Sequence, residues 1–184
     1  MRIVAGILGG RRLHAPKGRD IRPTSDRVRE AIFSIIGPAV SGANVLDLFA
    51  GTGALGLEAL SRGASQVVFV DQSSTAVQLI RANIELCNVQ DRVRVIHGSV
   101  NHAIRRLTVQ GAYFDLIFMD PPYGKGSVQK TVISLAGVAR SGTFVVAEHY
   151  SKDLLPSRLQ EWMRTQERKY GDTTVSFYMR ELAC

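Results

Sequence analysis

The chain has 184 residues, 45% of them hydrophobic, and a formal net charge of +7. That length fits one domain with a sizeable buried core and room for a small extension. Cys87 and Cys184 make neither a disulfide framework nor a metal-site spacing, no run reaches the length of a membrane span, and the first residues lack the apolar stretch of a signal peptide, so a cytoplasmic protein with reduced thiols is expected.

Charge is concentrated at the start. Residues 1–30 hold eight Lys or Arg against three acids, a net of +5 out of the +7. A basic lobe beside a nearly neutral body suits a polyanion, with a solvated basic surface as the plain alternative. Residues 2–5 and 11–14 flank Gly9-Gly10 and read as a small hairpin. A coil follows over 16–23, and Asp26 can cap a helix running to about Ile36.

From residue 44 the pattern alternates. Runs at 44–49, 66–71, 93–97, 114–119 and 143–148 are rich in Val, Ile, Leu and Phe. Between them lie helix-compatible stretches at 54–61, 73–87, 101–107 and 127–136. Continuous apolar strands alternating with helices predict a parallel sheet covered on both faces. The tail departs from this. Residues 156–164 read as a helix with Leu159, Trp162 and Met163 on one face, and 167–170 and 173–179 as two strands joined at Gly171-Asp172. Such a hairpin brings the last strand in antiparallel.

Two loops carry chemistry. The run from Asp47 through Phe49, Ala50, Gly51, Thr52 and Gly53 to Gly56 links the first strand to a helix, where glycines admit a ligand close to the backbone. Asp71, about 20 residues on, is placed for ribose hydroxyls. These features alone leave a nicotinamide enzyme and an S-adenosylmethionine enzyme both open. Asp47 favours the second, because a carboxylate there suits an ammonium group and repels a pyrophosphate.

The other loop is Asp120-Pro121-Pro122-Tyr123, straight after the fourth strand. The prolines end the ladder and stiffen the turn. A carboxylate beside an aromatic ring at a strand end suits a planar base with an amino group, and has no role in hydride transfer.

Asp47–Gly53 resembles motif I of class I S-adenosylmethionine-dependent methyltransferases, and Asp120–Tyr123 resembles their motif IV as used on amino groups of adenine, cytosine or guanine. Residues 2–6, 22–31, Glu148-His149 and 169–173 make the whole chain similar to the RsmD family of bacterial 16S rRNA (guanine-N2) methyltransferases. The resemblance implies an α/β, Rossmann-like fold: a seven-stranded, mostly parallel sheet with an antiparallel last strand, helices on both faces and a small N-terminal β-hairpin extension. It divides the chain into a basic extension for RNA contact, 1–25, and a methyltransferase domain, 26–184. It implies a monomer that acts on 16S rRNA within an assembling small ribosomal subunit.

The site residues expected on this basis are Asp120, Pro121, Pro122 and Tyr123 for catalysis. Asp47, Phe49, Ala50, Gly51, Thr52, Gly53, Asp71, Gln72, Ser99, Val100 and Thr24 are expected around S-adenosylmethionine. Arg11, Arg12, Lys17, Arg22, Arg27, Arg29 and Lys125 are expected on RNA phosphates. Ser99 departs from the family, which usually has an acid there for the adenine amino group; a neutral acceptor gives up about 1 kcal/mol. His149 reads equally as a pocket residue or a structural histidine, and Trp162 as core. The rival readings are a DNA or protein-release-factor methyltransferase, a nicotinamide-dependent reductase, and an RNA-binding module without turnover.

Overall fold

The computed structural model describes residues 1–15, 26–121 and 127–181. In chain order the elements are α1 (Asp26–Ile36), β1 (Asn44–Leu48), α2 (Ala54–Ser61), β2 (Gln66–Asp71), α3 (Ser74–Cys87), β3 (Val93–His97), α4 (Val100–Val109), β4 (Phe114–Met119), α5 (Ser127–Ser134), β5 (Ala139–Tyr150), β6 (Arg158–Leu159), β7 (Trp162–Tyr170) and β8 (Thr173–Arg180). One sheet runs in the order β3-β2-β1-β4-β5-β8-β7-β6. The first five strands are mutually parallel, while β8 pairs antiparallel with both β5 and β7.

Alternation along the strands sorts the core into two layers. Val45, Val67, Phe69, Leu116 and Phe118 face α1, α2 and α3. Leu46, Leu48, Val70, Ile117 and Met119 face α4 and α5. Because β1 to β5 run the same way, the residues after Leu48, Asp71, His97, Met119 and Ala147 meet at one edge of the sheet. Ligands bind at that carboxyl edge in open α/β sheets.

Two sequence expectations change. The helix expected over 156–164 is the hairpin of β6 and β7, in which Leu159 lies opposite Trp162. An apolar spacing of three serves either geometry: a tight turn with Gln160 at φ 55 puts both side chains on one face of a ribbon. Packing decided between them, since both side chains enter the core beneath α5 and Tyr178 Oη anchors the segment by donating to Pro156 O at 2.7 Å. The sheet therefore has eight strands, where seven were expected. The small N-terminal hairpin is present as expected: an antiparallel Arg2–Arg12 bridge, with Ile3 N donating to Arg11 O at 3.0 Å and Leu13 N to Met1 O at 3.2 Å.

Residues 1–15 do not stand apart from the rest. Ile3, Leu8 and Leu13 are buried in the same core as α1, α2 and α3. Polar anchors complete the docking. Glu58, wholly buried on α2, accepts from Val4 N at 2.7 Å, Ala5 N at 3.0 Å and Arg62 Nε at 2.8 Å. Ser61 Oγ accepts from Leu8 N at 2.9 Å and donates to Ala5 O at 2.5 Å.

Candidate active site

The loop after β1 is bent by three residues in the left-handed region: Phe49 at φ 56, Gly51 at φ 57 and Gly53 at φ 76. The first is costly for a side chain with a Cβ and marks stored strain at the site. Gly56 is required for another reason. A Cβ there would stand 2.3 Å from Phe69 Cε1 and 2.8 Å from Val67 Cγ1, so its absence lets α2 sit against β2.

Two carboxylates hold this loop. Asp47 is buried on the face toward α2 and accepts from Gly56 N at 2.9 Å. That amide belongs to the first turn of α2, which has no side-chain cap because Gly53 occupies the N-cap. Burial drives the Asp47 carboxyl up to about 8; the Gly56 hydrogen bond opposes the rise, and repulsion from Asp71 and Asp120 adds to it. Asp71 accepts from Gly51 N at 2.9 Å through Oδ2 and from Ser73 N at 2.8 Å through Oδ1. Each oxygen keeps a second lone pair for a ligand hydroxyl. Ala50 N donates to Val70 O at 3.1 Å, and Gly53 N to Ala50 O at 2.7 Å.

Across the edge, Asp120 follows Met119, which lies between Leu48 of β1 and Ala147 of β5. Asp120 is half-buried and Pro121 buried. Asp120 therefore shares the carboxyl edge with Phe49, Asp71 and Glu148. Pro122, Tyr123 and Lys125 lie outside the described residues, as do Thr24, Lys17 and Arg22.

Ser99 is the N-cap of α4, accepting from His102 N at 3.4 Å. Asp and Ser are both preferred N-caps, which explains how Ser99 replaces an acid with the helix start preserved. Val100 is buried behind it. Gln72 is exposed, and its carbonyl lies 3.1 Å from His97 Nε2.

The basic residues divide. Arg12 and Arg27 are exposed, and Arg11 is half-buried with Nη1 donating to Leu86 O at 2.5 Å. Arg29, expected on phosphate, is instead fully buried. Its Nη2 donates to Asp26 Oδ1 at 2.9 Å and to the Arg2 carbonyl. Burial lowers the guanidinium's affinity for its proton, and Asp26 and Glu58 oppose that shift. It fastens the head to α1. His149 is likewise structural: it is buried, with Nε2 2.9 Å from Ser176 Oγ and Nδ1 3.1 Å from Tyr150 O, and burial holds it below the ordinary imidazole value.

Among the buried polar residues that the sequence did not single out, Glu58 and Asn83 bind the head to the body. Each had a signal. Glu58 is the one charged residue in the apolar run 54–61, and Asn83 stands on the buried face that Ala76, Val77, Ile80, Ile84 and Cys87 make.

Parallel order 3-2-1-4-5, an antiparallel strand beyond β5 and a glycine loop after β1 define a Rossmann-like class I methyltransferase fold. The family described as "Conserved hypothetical protein 95" matches residues 1–179. YlbH of Bacillus subtilis (strain 168) is 36% identical over 182 residues, covering 98% of this chain and 99% of that protein. Ribosomal RNA small subunit methyltransferase D of Escherichia coli (strain K12) is 32% identical over 183 residues, covering 98% and 90%. The solved structure of yhhF from Escherichia coli superposes with a TM-score of 0.88 at 30% identity, covering 100% of this chain and 99% of that one. The chain belongs to this family, that of the ribosomal RNA small subunit methyltransferase D proteins.

Proposed function

We propose that the protein methylates the exocyclic N2 of a guanine in 16S rRNA, with S-adenosylmethionine as donor, acting as a monomer on a partly assembled small subunit. The observation that carries this reading is the position of Asp120, one residue past β4 and next to β1, where the glycine loop opens. The rRNA methyltransferase activity named for the Escherichia coli relative supports the substrate class; the choice of guanine N2 rests on the resemblance of the head and tail segments.

The residues present fit the donor. Asp47 is a buried carboxylate with Oδ1 unengaged among the described residues, an environment that gains from a neighbouring cation. Asp71 serves the ribose, and the loop from Phe49 to Gly53 lies along the donor. When bound, S-adenosylmethionine supplies an electrophilic methyl. The guanine amine is a weak nucleophile because its lone pair is delocalised into the ring. Asp120 and the Pro121 carbonyl accept from the N2 hydrogens and so localise that lone pair toward the methyl. Asp120 then takes the proton as the amine becomes acidic. The stacking expected of Tyr123 on the base falls on a residue outside the described ones. Positioning and electrostatics supply the acceleration.

The test is to incubate the enzyme with labelled donor and 16S rRNA, partly assembled small-subunit particles or DNA, and to map the product. Label on guanine N2 in the particles is expected; label on adenine N6, or on DNA in preference to RNA, overturns the reading.

Asp47 gives a second expected result. An unfolded Asp titrates near 4, so between about 4 and about 8 the native protein holds one proton more than the unfolded chain. Its stability therefore falls as pH rises through that window. An ammonium beside Asp47 reverses the preference, so donor binding releases up to one proton below pH 8, and affinity rises from pH 6 to 8. Calorimetry of S-adenosylhomocysteine binding in buffers of different ionisation enthalpy measures this; a buffer-independent enthalpy excludes the assignment.

A further inference from the structure

Asn83 joins two parts of the molecule that the functional reading treats separately. It is fully buried on α3. Its Oδ1 accepts from His14 N at 2.7 Å, and its Nδ2 donates to His14 O at 3.1 Å and to Thr52 O at 2.9 Å. The carboxamide has two N–H donors and one acceptor oxygen, and all three functions are used. Toward His14 it behaves as a neighbouring strand does, holding the N–H and C=O of one residue together. Toward Thr52 it grips the backbone of the glycine loop between Gly51 and Gly53. Met1 meets the same residue from the other side, with Thr52 Oγ1 3.8 Å from its Sδ, and Leu13 N donates to Met1 O at 3.2 Å. The loop's neighbours on this side are therefore head residues.

The position of His14 gives this contact its meaning. Arg11 and Arg12, expected on phosphate, stand three and two residues before it, and Arg12 is exposed. The same short stretch that offers this charge is therefore tied through Asn83 to Thr52.

We propose that Asn83 is a positioning residue that couples RNA contact by the basic head to methyl-donor binding by the glycine loop. The inference rests on the functional reading above and deepens it. RNA phosphates on Arg11 and Arg12 reinforce the docked head, and with it the His14–Asn83 contact that holds Thr52 in the donor-binding geometry. By linkage, bound donor raises RNA affinity by the same factor. In a buried site the three hydrogen bonds are strong, and a broken one leaves a desolvated partner, so head and loop move together. Asn83→Asp keeps the shape and the acceptor, but sets a carboxylate against the carbonyl oxygens of His14 and Thr52.

The experiment measures the dissociation constant of S-adenosylhomocysteine with and without saturating partly assembled small-subunit particles, the source of RNA throughout. It uses wild type, Asn83→Asp, Asn83→Ala and Ser61→Ala. Wild type is expected to bind the probe at least about fivefold more tightly with RNA. Both Asn83 variants are expected to bring that ratio close to one. Ser61→Ala loosens the head at a point that does not touch the loop and keeps the wild-type ratio. A ratio unchanged in Asn83→Asp, or lost equally in Ser61→Ala, overturns the proposal; the second result reduces Asn83 to general docking. Hydrogen exchange on the wild type needs no variant. RNA alone must raise amide protection at residues 49–53, and unchanged protection there overturns the coupling. A wild type that binds neither probe nor particle overturns the functional reading and this inference with it. Binding of both without coupling overturns only the inference.

Discussion

Asp120→Ala is expected to lower methyl transfer by about 10³-fold, the scale seen on removing one preorganised electrostatic group from a reacting centre, while the protein still binds S-adenosylhomocysteine. The two effects separate because of where Asp120 stands. It lies at the end of β4, beyond the glycine loop of β1, and neither carboxylate that holds that loop depends on it. Its charge repels that of Asp47. Removing it lowers the cost of ionising Asp47, so donor affinity is expected to stay level or rise. Asp120→Asn keeps an oxygen acceptor for the guanine amine without the charge, and is expected to fall between the two. Single-turnover transfer to rRNA particles, with calorimetry of the bound product, measures both quantities. Transfer near the wild-type rate with intact binding would remove Asp120 from the chemistry.

The largest expected effect on stability is at Glu58. Its carboxylate accepts two backbone amides of the head and the Arg62 guanidinium, all with the side chain wholly out of water. Glu58→Ala leaves two amides and a cation without their acceptor. Breaking one partner out of a buried ionic cluster costs about 3–5 kcal/mol, which for a chain of this size moves the melting midpoint on the order of 10 °C. The loss is expected to be local in origin, with residues 1–15 becoming sensitive to protease before the sheet unfolds. Glu58→Gln keeps one acceptor oxygen and is expected to recover part of the loss. Urea unfolding together with limited proteolysis tests this. A change below about 1 kcal/mol would mean that Ile3, Leu8 and Leu13 hold the head without polar help.

The parallel core was legible because its signals are local. Each strand from β1 to β5 is a short apolar run, and each helix between them carries its own periodicity, so neighbouring residues specify the element. The glycine loop was legible for the same reason at Gly51 and Gly53, which answer needs of the turn itself, whereas Gly56 answers the packing of α2 on Phe69 and Val67 of β2. The segment 156–164 was not, since one spacing of apolar residues fits a helix turn and a tight β turn alike. Only contact with α5 and Tyr178 decides between them.

Charge was the least legible property. Arg29 and Arg12 look alike in the sequence, yet one is buried against Asp26 and the Arg2 carbonyl and the other faces water. Ser99, expected at the donor's adenine, has a second role as a helix cap that the sequence did not show. Glu58 and Asn83 carried no motif; their only trace was polarity on an apolar helix face.

By itself, the sequence determined the α/β class, the parallel strands and their helices, the antiparallel end of the sheet and the two loops proposed to carry the chemistry. These follow from backbone preference and hydrophobic period, which act between near neighbours in the chain. The tertiary structure alone decided which charges are spent inside the protein, and that the head is docked against the donor loop. Those outcomes depend on burial and on hydrogen bonds between residues far apart in the chain, such as Arg29 with Arg2, 27 positions away, and Asn83 with Thr52 and His14, 31 and 69 positions away. No local pattern encodes a partner at that distance.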